Sequence, residues 1–319
     1  MMRAGCGIGT SAVRALSSVA AAGMLLSASS PSLAFCRTTT CDPLKETCPL
    51  DAADCMTAGK PLFWRGRCIS FGVDHQGSPK HGISHALARD TIVDAYRTWM
   101  NADCGSGPPS LQMFVSPEPI LCDHQVYNRD ANVANANAWI FLDEEWPYAA
   151  QSHQIALTTL TFQDEDGEIF DVDVEINSAQ FEITANDEVI KADLQAIATH
   201  EAGHFFGLSH TKVDGSTMEA QYSVGDTSLR TIEADDIAGI CTVYPPDRQA
   251  AACLSTRTPR HGFSAECSDA LEADGGCCTT APTGTGRAPA SAILASALGM
   301  LVLLARRRAR RNQIEAPSG

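Results

Sequence analysis

This chain predicts an α+β domain, and three observations carry that expectation. Hydrophobic segments of period two and period 3.6 follow one another as strand, helix, four strands and two helices, without regular alternation. An apolar leader and 13 cysteines point to a disulfide-containing domain in an oxidising compartment. One string on the second helix, His200-Glu-Ala-Gly-His-Phe-Phe-Gly-Leu-Ser-His210, concentrates imidazoles at metal-ligand spacing.

Taken in order, Arg3 and Arg14 precede an uncharged stretch rich in Ala, Ser and Leu, and Ser32-Leu33-Ala34 supplies the small residues of a cleavage site. Residues 1–34 are therefore expected to be a signal peptide. Residues 35–60 form a cysteine-rich segment with too little apolar content for a core of its own. Globular patterning begins at Pro61. Cys68–Val73 alternates as a strand, and His85–Met100 carries Leu87, Ile92, Tyr96 and Trp99 near helical spacing. Leu111–Val115, Ala138–Leu142 and Ile155–Phe162 are three more strands. Asp171–Asn177 alternates acid and aliphatic, as a strand with one wet face does. Val189–Phe206 is expected to be the second helix and Thr231–Cys241 the third, with Glu233, Asp235 and Asp236 favourably placed in the first turn of the latter.

Beyond residue 246 the pattern changes. Residues 247–287 form a cysteine-containing linker, and 288–305 is an uncharged apolar span of 18 residues. At ~1.5 Å per residue that is just enough to cross a hydrocarbon core. Arg306, Arg307, Arg308, Arg310 and Arg311 assign 306–319 to a cytoplasmic tail and everything before the span to the outside. Cys277-Cys278, the span and the arginine block together resemble myxobacterial-type C-terminal sorting tails. That resemblance implies sorting machinery as a partner and leaves a lasting membrane anchor open. The expected location is extracellular or on the outer surface. A net charge of −15 repels phosphate backbones, so no nucleic-acid partner is expected. In an exported chain the cysteines are a disulfide framework whose pairing the sequence leaves open.

The string at 200–210 carries the chemistry. On a helix His200 and His204 share one face a turn apart, and Glu201 lies beside them. His210 is too far along to ligate from that face. Gly207, lacking Cβ, can adopt a left-handed conformation and turn the chain back, so His210 closes a three-histidine zinc site with one position left for water. Glu201 is then the general base. Ser216-Thr217-Met218 follows eight residues after His210.

These residues resemble the extended zinc signature and Met-turn of the metzincin metallopeptidases. The order of elements over 61–246 is similar to the matrixin branch (peptidase M10 type). The resemblance implies a zincin-like domain with a twisted mixed five-stranded sheet and three helices, one catalytic zinc on His200, His204 and His210, and Met218 as an apolar floor. It also implies a zinc endopeptidase acting on protein or peptide substrates laid along the edge strand Ile155–Phe162. Hard oxygen donors at Asp164, Asp166, Asp171, Asp173 and Glu175 are candidate ligands for a structural calcium ion. The remaining histidines, His75, His81, His85, His124, His153 and His261, lack ligand spacing and are expected to be packed or at the surface.

The likeness has limits. There is no haemopexin-like repeat and no Pro-Arg-Cys-Gly cysteine switch, although a free thiol among Cys36–Cys55 could still cap the zinc. The tyrosine that some metzincins carry two residues after the methionine is absent; Tyr222 lies four on and is expected to pack. Two other functions compete: a catalytically silent zinc-containing surface binding protein, and a zinc hydrolase acting on a non-peptide bond. Glu201 speaks against the first, because a structural zinc site fills its fourth position with a ligand and needs no base.

Overall fold

The computed structural model describes residues 35–43, 45–130, 132–250, 253, 259 and 261–266, with the backbone of 293–295 and 301–302. The predicted signal peptide and the Arg-rich tail lie outside the described residues, as does most of the 288–305 span. Among the described residues no helix is long and apolar enough to cross a membrane.

In chain order the elements are β1 (Cys36–Arg37), β2 (Cys68–Val73), α1 (His85–Met100), β3 (Gln112–Val115), β4 (Ala138–Phe141), β5 (Ala156–Phe162), β6 (Ile169–Ile176), β7 (Ile183–Thr184) and β8 (Ala192–Asp193). They continue with α2 (Leu194–Phe205), β9 (Leu208–Ser209), β10 (Gln221–Tyr222), α3 (Ala234–Val243), β11 (Ile293–Ala295) and β12 (Leu301–Val302). The principal sheet runs β5-β6-β4-β2-β3, with β11 added outside β5. Its β2–β3, β2–β4 and β4–β6 pairs are parallel, whereas β5 runs antiparallel to β6. This is the mixed sheet of an α+β, metzincin-like domain. The short β11 pairs antiparallel with β5, and β12 pairs parallel with β10.

Side-chain alternation sends one face of the sheet toward α1 and α2. Phe71 of β2, Trp139 of β4, Leu160 of β5 and Val174 of β6 join Tyr96, Trp99, Phe205 and Phe206 in the main core. The indole of Trp139 donates to the Tyr96 hydroxyl at 3.0 Å, and Trp99 Nε1 donates to the Thr199 carbonyl at 2.8 Å, so α1 is keyed to both sheet and α2. A second apolar cluster of Ile120, Cys122, Ala136, Ala138 and Ile140 covers the opposite face.

That cover corrects one expectation. The acids of β6 do not face water: Asp171, Asp173 and Glu175 are all buried. Residues of the long β3–β4 connection fold over them, with Val126 N donating to Asp173 at 3.0 Å. Alternation identified two faces correctly, but a loop closing one of them leaves no periodic signal. The start of α2 is a second correction. It begins at Leu194, not Val189, because the Asp193 side chain accepts from Ala196 N at 2.7 Å and caps the helix there. Val189 is 60% exposed in the preceding loop. In α3, Glu233 is the N-cap and forms a capping box with Asp236.

The cysteine-rich segment at 35–60 packs on the domain without a core of its own. β1 pairs with β9, Thr38 Oγ1 donates to Leu208 O, and Phe35 rests against Gly239 of α3. Among the described residues four disulfides join Cys36–Cys55, Cys41–Cys48, Cys68–Cys253 and Cys104–Cys241, and Cys122 is disulfide-bonded as well. All four cysteines between 36 and 55 are thus paired, which removes the free thiol considered as a cap on the metal site.

Candidate metal centre

Helix α2 is anchored before it reaches the site. Arg230 forks onto the buried carboxylate of its cap, Nε to Asp193 Oδ1 at 2.9 Å and Nη2 to Oδ2 at 2.6 Å. Asp193 N donates to the Tyr222 hydroxyl at 2.8 Å, and that hydroxyl donates to Lys191 O at 3.2 Å. Tyr222 therefore braces the helix start, as packing predicts.

About two to three turns past Asp193, at 3.6 residues per turn, His200, Glu201 and His204 are all buried on α2. The helix ends at Phe205, and Gly207 takes φ +83°. A Cβ at Gly207 would lie 2.5 Å from the Leu62 carbonyl oxygen, so both conformation and space demand glycine. The chain reverses through β9 and returns His210 to the other two imidazoles. His210 Nε2 stands 3.1 Å from His200 Nε2 and 3.1 Å from His204 Nε2. Among the described residues this trio alone brings three donor atoms together at metal-holding distance.

The far ring nitrogens fix the tautomers. His200 Nδ1 meets Thr217 O at 2.6 Å and His204 Nδ1 meets Leu208 O at 3.0 Å. A carbonyl can only accept, so both Nδ1 atoms carry the proton and both Nε2 lone pairs face inward. Burial lowers the His200 pKa to about 4 and, with His200 adding a second, repulsive contribution, lowers His204 to about 3. Burial, followed by the charges of His204 and His200, likewise pushes His210 well below the ordinary range. Three neutral imidazoles with converging lone pairs repel one another, and their spacing matches three corners of a tetrahedron around Zn–N bonds of ~2.0–2.1 Å. The donor set thus fits zinc.

Met218 lies beneath, 2% exposed. The sequence reading missed what makes room for it. An added Cβ at Gly203, inside the helix, would fall 2.2 Å from Met218 Sδ and 2.9 Å from Trp99 Cζ2. Asp236 was also missed as a site residue. Its carboxylate accepts from Ser216 Oγ at 2.5 Å, Thr217 N at 2.8 Å and Met218 N at 3.2 Å, so the α3 capping box also holds the Met-turn whose carbonyl orients His200. A signal was present in the adjacent Asp235-Asp236 pair, but nothing local links it to a turn 18 residues earlier.

Glu201 is 1% exposed, and burial raises its pKa to about 7 against the opposing hydrogen bond from Thr158. Thr158 Oγ1 donates to Oε2 at 2.5 Å, while Oε1, equally buried, accepts no hydrogen bond from the protein.

The five acids named for calcium separate into two environments. Asp166, on the β5–β6 turn, pairs with Arg65, and Asp164 is exposed. On β6, Asp173 accepts from Ala138 N at 2.8 Å as well as from Val126 N, and Tyr148 donates to Glu175 Oε2 at 2.6 Å. Asp171 Oδ1 and Glu175 Oε1 are buried without a hydrogen-bond partner. Burial lifts the pKa of Asp173 to about 8, with Glu175 adding to the rise, and lifts those of Asp171 and Glu175 too. No three of these carboxylates offer oxygens to one point.

A mixed sheet backing a helix that bears two imidazoles and a buried carboxylate, with a third imidazole returned beyond Gly207, makes a metzincin-like arrangement. Sequence comparison agrees over the same region: the matrixin family model matches residues 124–245, which include the sheet's β4–β6, α2, the Met-turn and α3. A segment of 69 residues is 36% identical to interstitial collagenase of Oryctolagus cuniculus, covering 21% of this chain and 14% of that relative. The chain therefore spans only a small part of the curated relative it matches.

Proposed function

We propose that the protein is an exported zinc-dependent endopeptidase. The observation that carries this reading is the pairing of the three converging Nε2 atoms with the open Oε1 of Glu201. His200, His204 and His210 would hold the ion. Zinc in such a site supplies Lewis acidity toward the scissile carbonyl and acidifies water. Glu201 Oε1 takes the proton of the attacking water and later gives it to the departing amine nitrogen. The outer edge of β5 is paired with β11, so an extended peptide would take up these backbone groups in place of that strand.

The disulfides among the described residues support an oxidising, extracellular setting, and the C-terminal apolar span supports delivery to or retention at a membrane. Calcium is the second ion of this reading, carried by the hard oxygen donors named for it and not by a converged site, since no three of these carboxylates meet at one point. A melting temperature unchanged by a calcium-selective chelator removes it.

The activity is tested by incubating zinc-loaded protein with unfolded casein, with and without a zinc chelator, and mapping the cleavage sites. Chelator-sensitive cleavage at defined bonds is expected, with Glu201→Gln retaining zinc but losing at least about 1,000-fold in kcat, in line with loss of a general base and its electrostatics. Cleavage undiminished in Glu201→Gln refutes the mechanism.

A further inference from the structure

We propose that Thr158 is a positioning residue for Glu201, holding one carboxylate oxygen so that the other is presented to the reacting atoms; this rests on the peptidase reading above. Alternation along β5 turns Ala156, Thr158, Leu160 and Phe162 toward the helices, and the other three are apolar members of the main core. Valine would satisfy strand propensity and packing there equally well. A hydroxyl in that row calls for a partner, and its partner is Glu201 Oε2 at 2.5 Å.

The contact has the properties of a fixed support. Both residues are 1% exposed, so water does not compete for the carboxylate. An ionised carboxylate only accepts, which makes Thr158 the donor. The terminal torsion of a glutamate is broad and two-fold, so an unsupported carboxylate exchanges its oxygens freely. Threonine is stiff at χ1, and its strand is bonded to β6 with Thr158 opposite Val174. The Trp99–Thr199 bond fixes the helix on the other side. Strand and helix are thereby held in one relation, leaving Oε1 the face turned away from Thr158.

The test compares zinc-loaded wild type, Thr158→Val, Thr158→Ser and Glu201→Gln on an internally quenched peptide bearing a mapped cleavage site. Thr158→Val should lower kcat about 10- to 100-fold, the span expected for losing a hydrogen bond to a charged group. KM should move less than about threefold, zinc should remain at one per chain, and Thr158→Ser should restore most of kcat. A crystal structure of metal-free Thr158→Val should show Glu201 in more than one orientation. A Thr158→Val kcat within twofold of wild type overturns the proposal while leaving the peptidase reading intact. Equal losses in the Ser and Val variants, accompanied by lost zinc or a lowered melting temperature, also overturn it, because they mark a merely structural residue. Absence of cleavage by wild type overturns the peptidase reading and this proposal with it.

Discussion

At the scale of single residues the site depends on what a side chain leaves out as much as on what it supplies. Gly203 interrupts a helix that would otherwise favour alanine by ~1 kcal/mol. A methyl group there would collide with Met218 Sδ and the Trp99 ring, both buried. Overpacking of this kind costs about 1–3 kcal/mol, so the clash outweighs the propensity gain. Gly203→Ala should therefore lower stability in a denaturant titration, and a variant more stable than wild type would refute the packing argument. The histidines, Glu201, Gly207 and Met218 were legible because they form one short string and a nearby turn. Gly203 was not, since its reason is a side chain 15 positions away. Thr158 was hidden for the same cause, being 43 residues from the carboxylate it meets.

At the scale of elements, β6 shows how a correct pattern can carry a wrong inference. Its acid and aliphatic faces were read properly, yet the acid face is buried beneath the loop that follows β3. Burial has a pH signature. Asp173 has a folded pKa of about 8 against an unfolded value of ~3.9, so its folded form binds the proton more tightly. Its contribution to stability is fully present below ~4 and is lost as pH rises through about 8. In calcium-free protein the melting-temperature advantage of wild type over Asp173→Asn should accordingly shrink between pH 4 and 8.5. A gap independent of pH would contradict the buried-acid description. Helix α2 teaches the same lesson at its start: the apolar run from Val189 looked continuous, but Asp193, held by Arg230 from 37 residues further along the chain, decides where the helix begins.

At the scale of the whole molecule, covalent ties join elements that local pattern cannot connect. Cys104, just past α1, is bonded to Cys241 in α3 across 137 residues, and Cys68 of β2 to Cys253 across 185. Closing such loops restricts the unfolded chain, and each bond should contribute about 2–5 kcal/mol. Replacing Cys104 and Cys241 together by serine should lower the denaturation free energy by that amount with zinc content retained. A variant as stable as wild type would show that the bond adds nothing to folding. The two small disulfides within 36–55 hold the N-terminal segment beside β9, the strand between Gly207 and His210. That arrangement replaces the capping thiol considered from sequence with a strap on the turn that delivers the third histidine.

By itself the sequence determined which three histidines and which glutamate come together, the turn at Gly207 and the order of strands and helices, because each rests on spacing within one element or across one short loop. Only the tertiary structure decided which oxygen of Glu201 is held, what occupies the space at Gly203, that Asp236 carries the Met-turn, and that the β6 acids are dry. Those facts depend on side chains brought together from distant parts of the chain. Periodicity reports which way a residue faces, and only packing reports what it meets there.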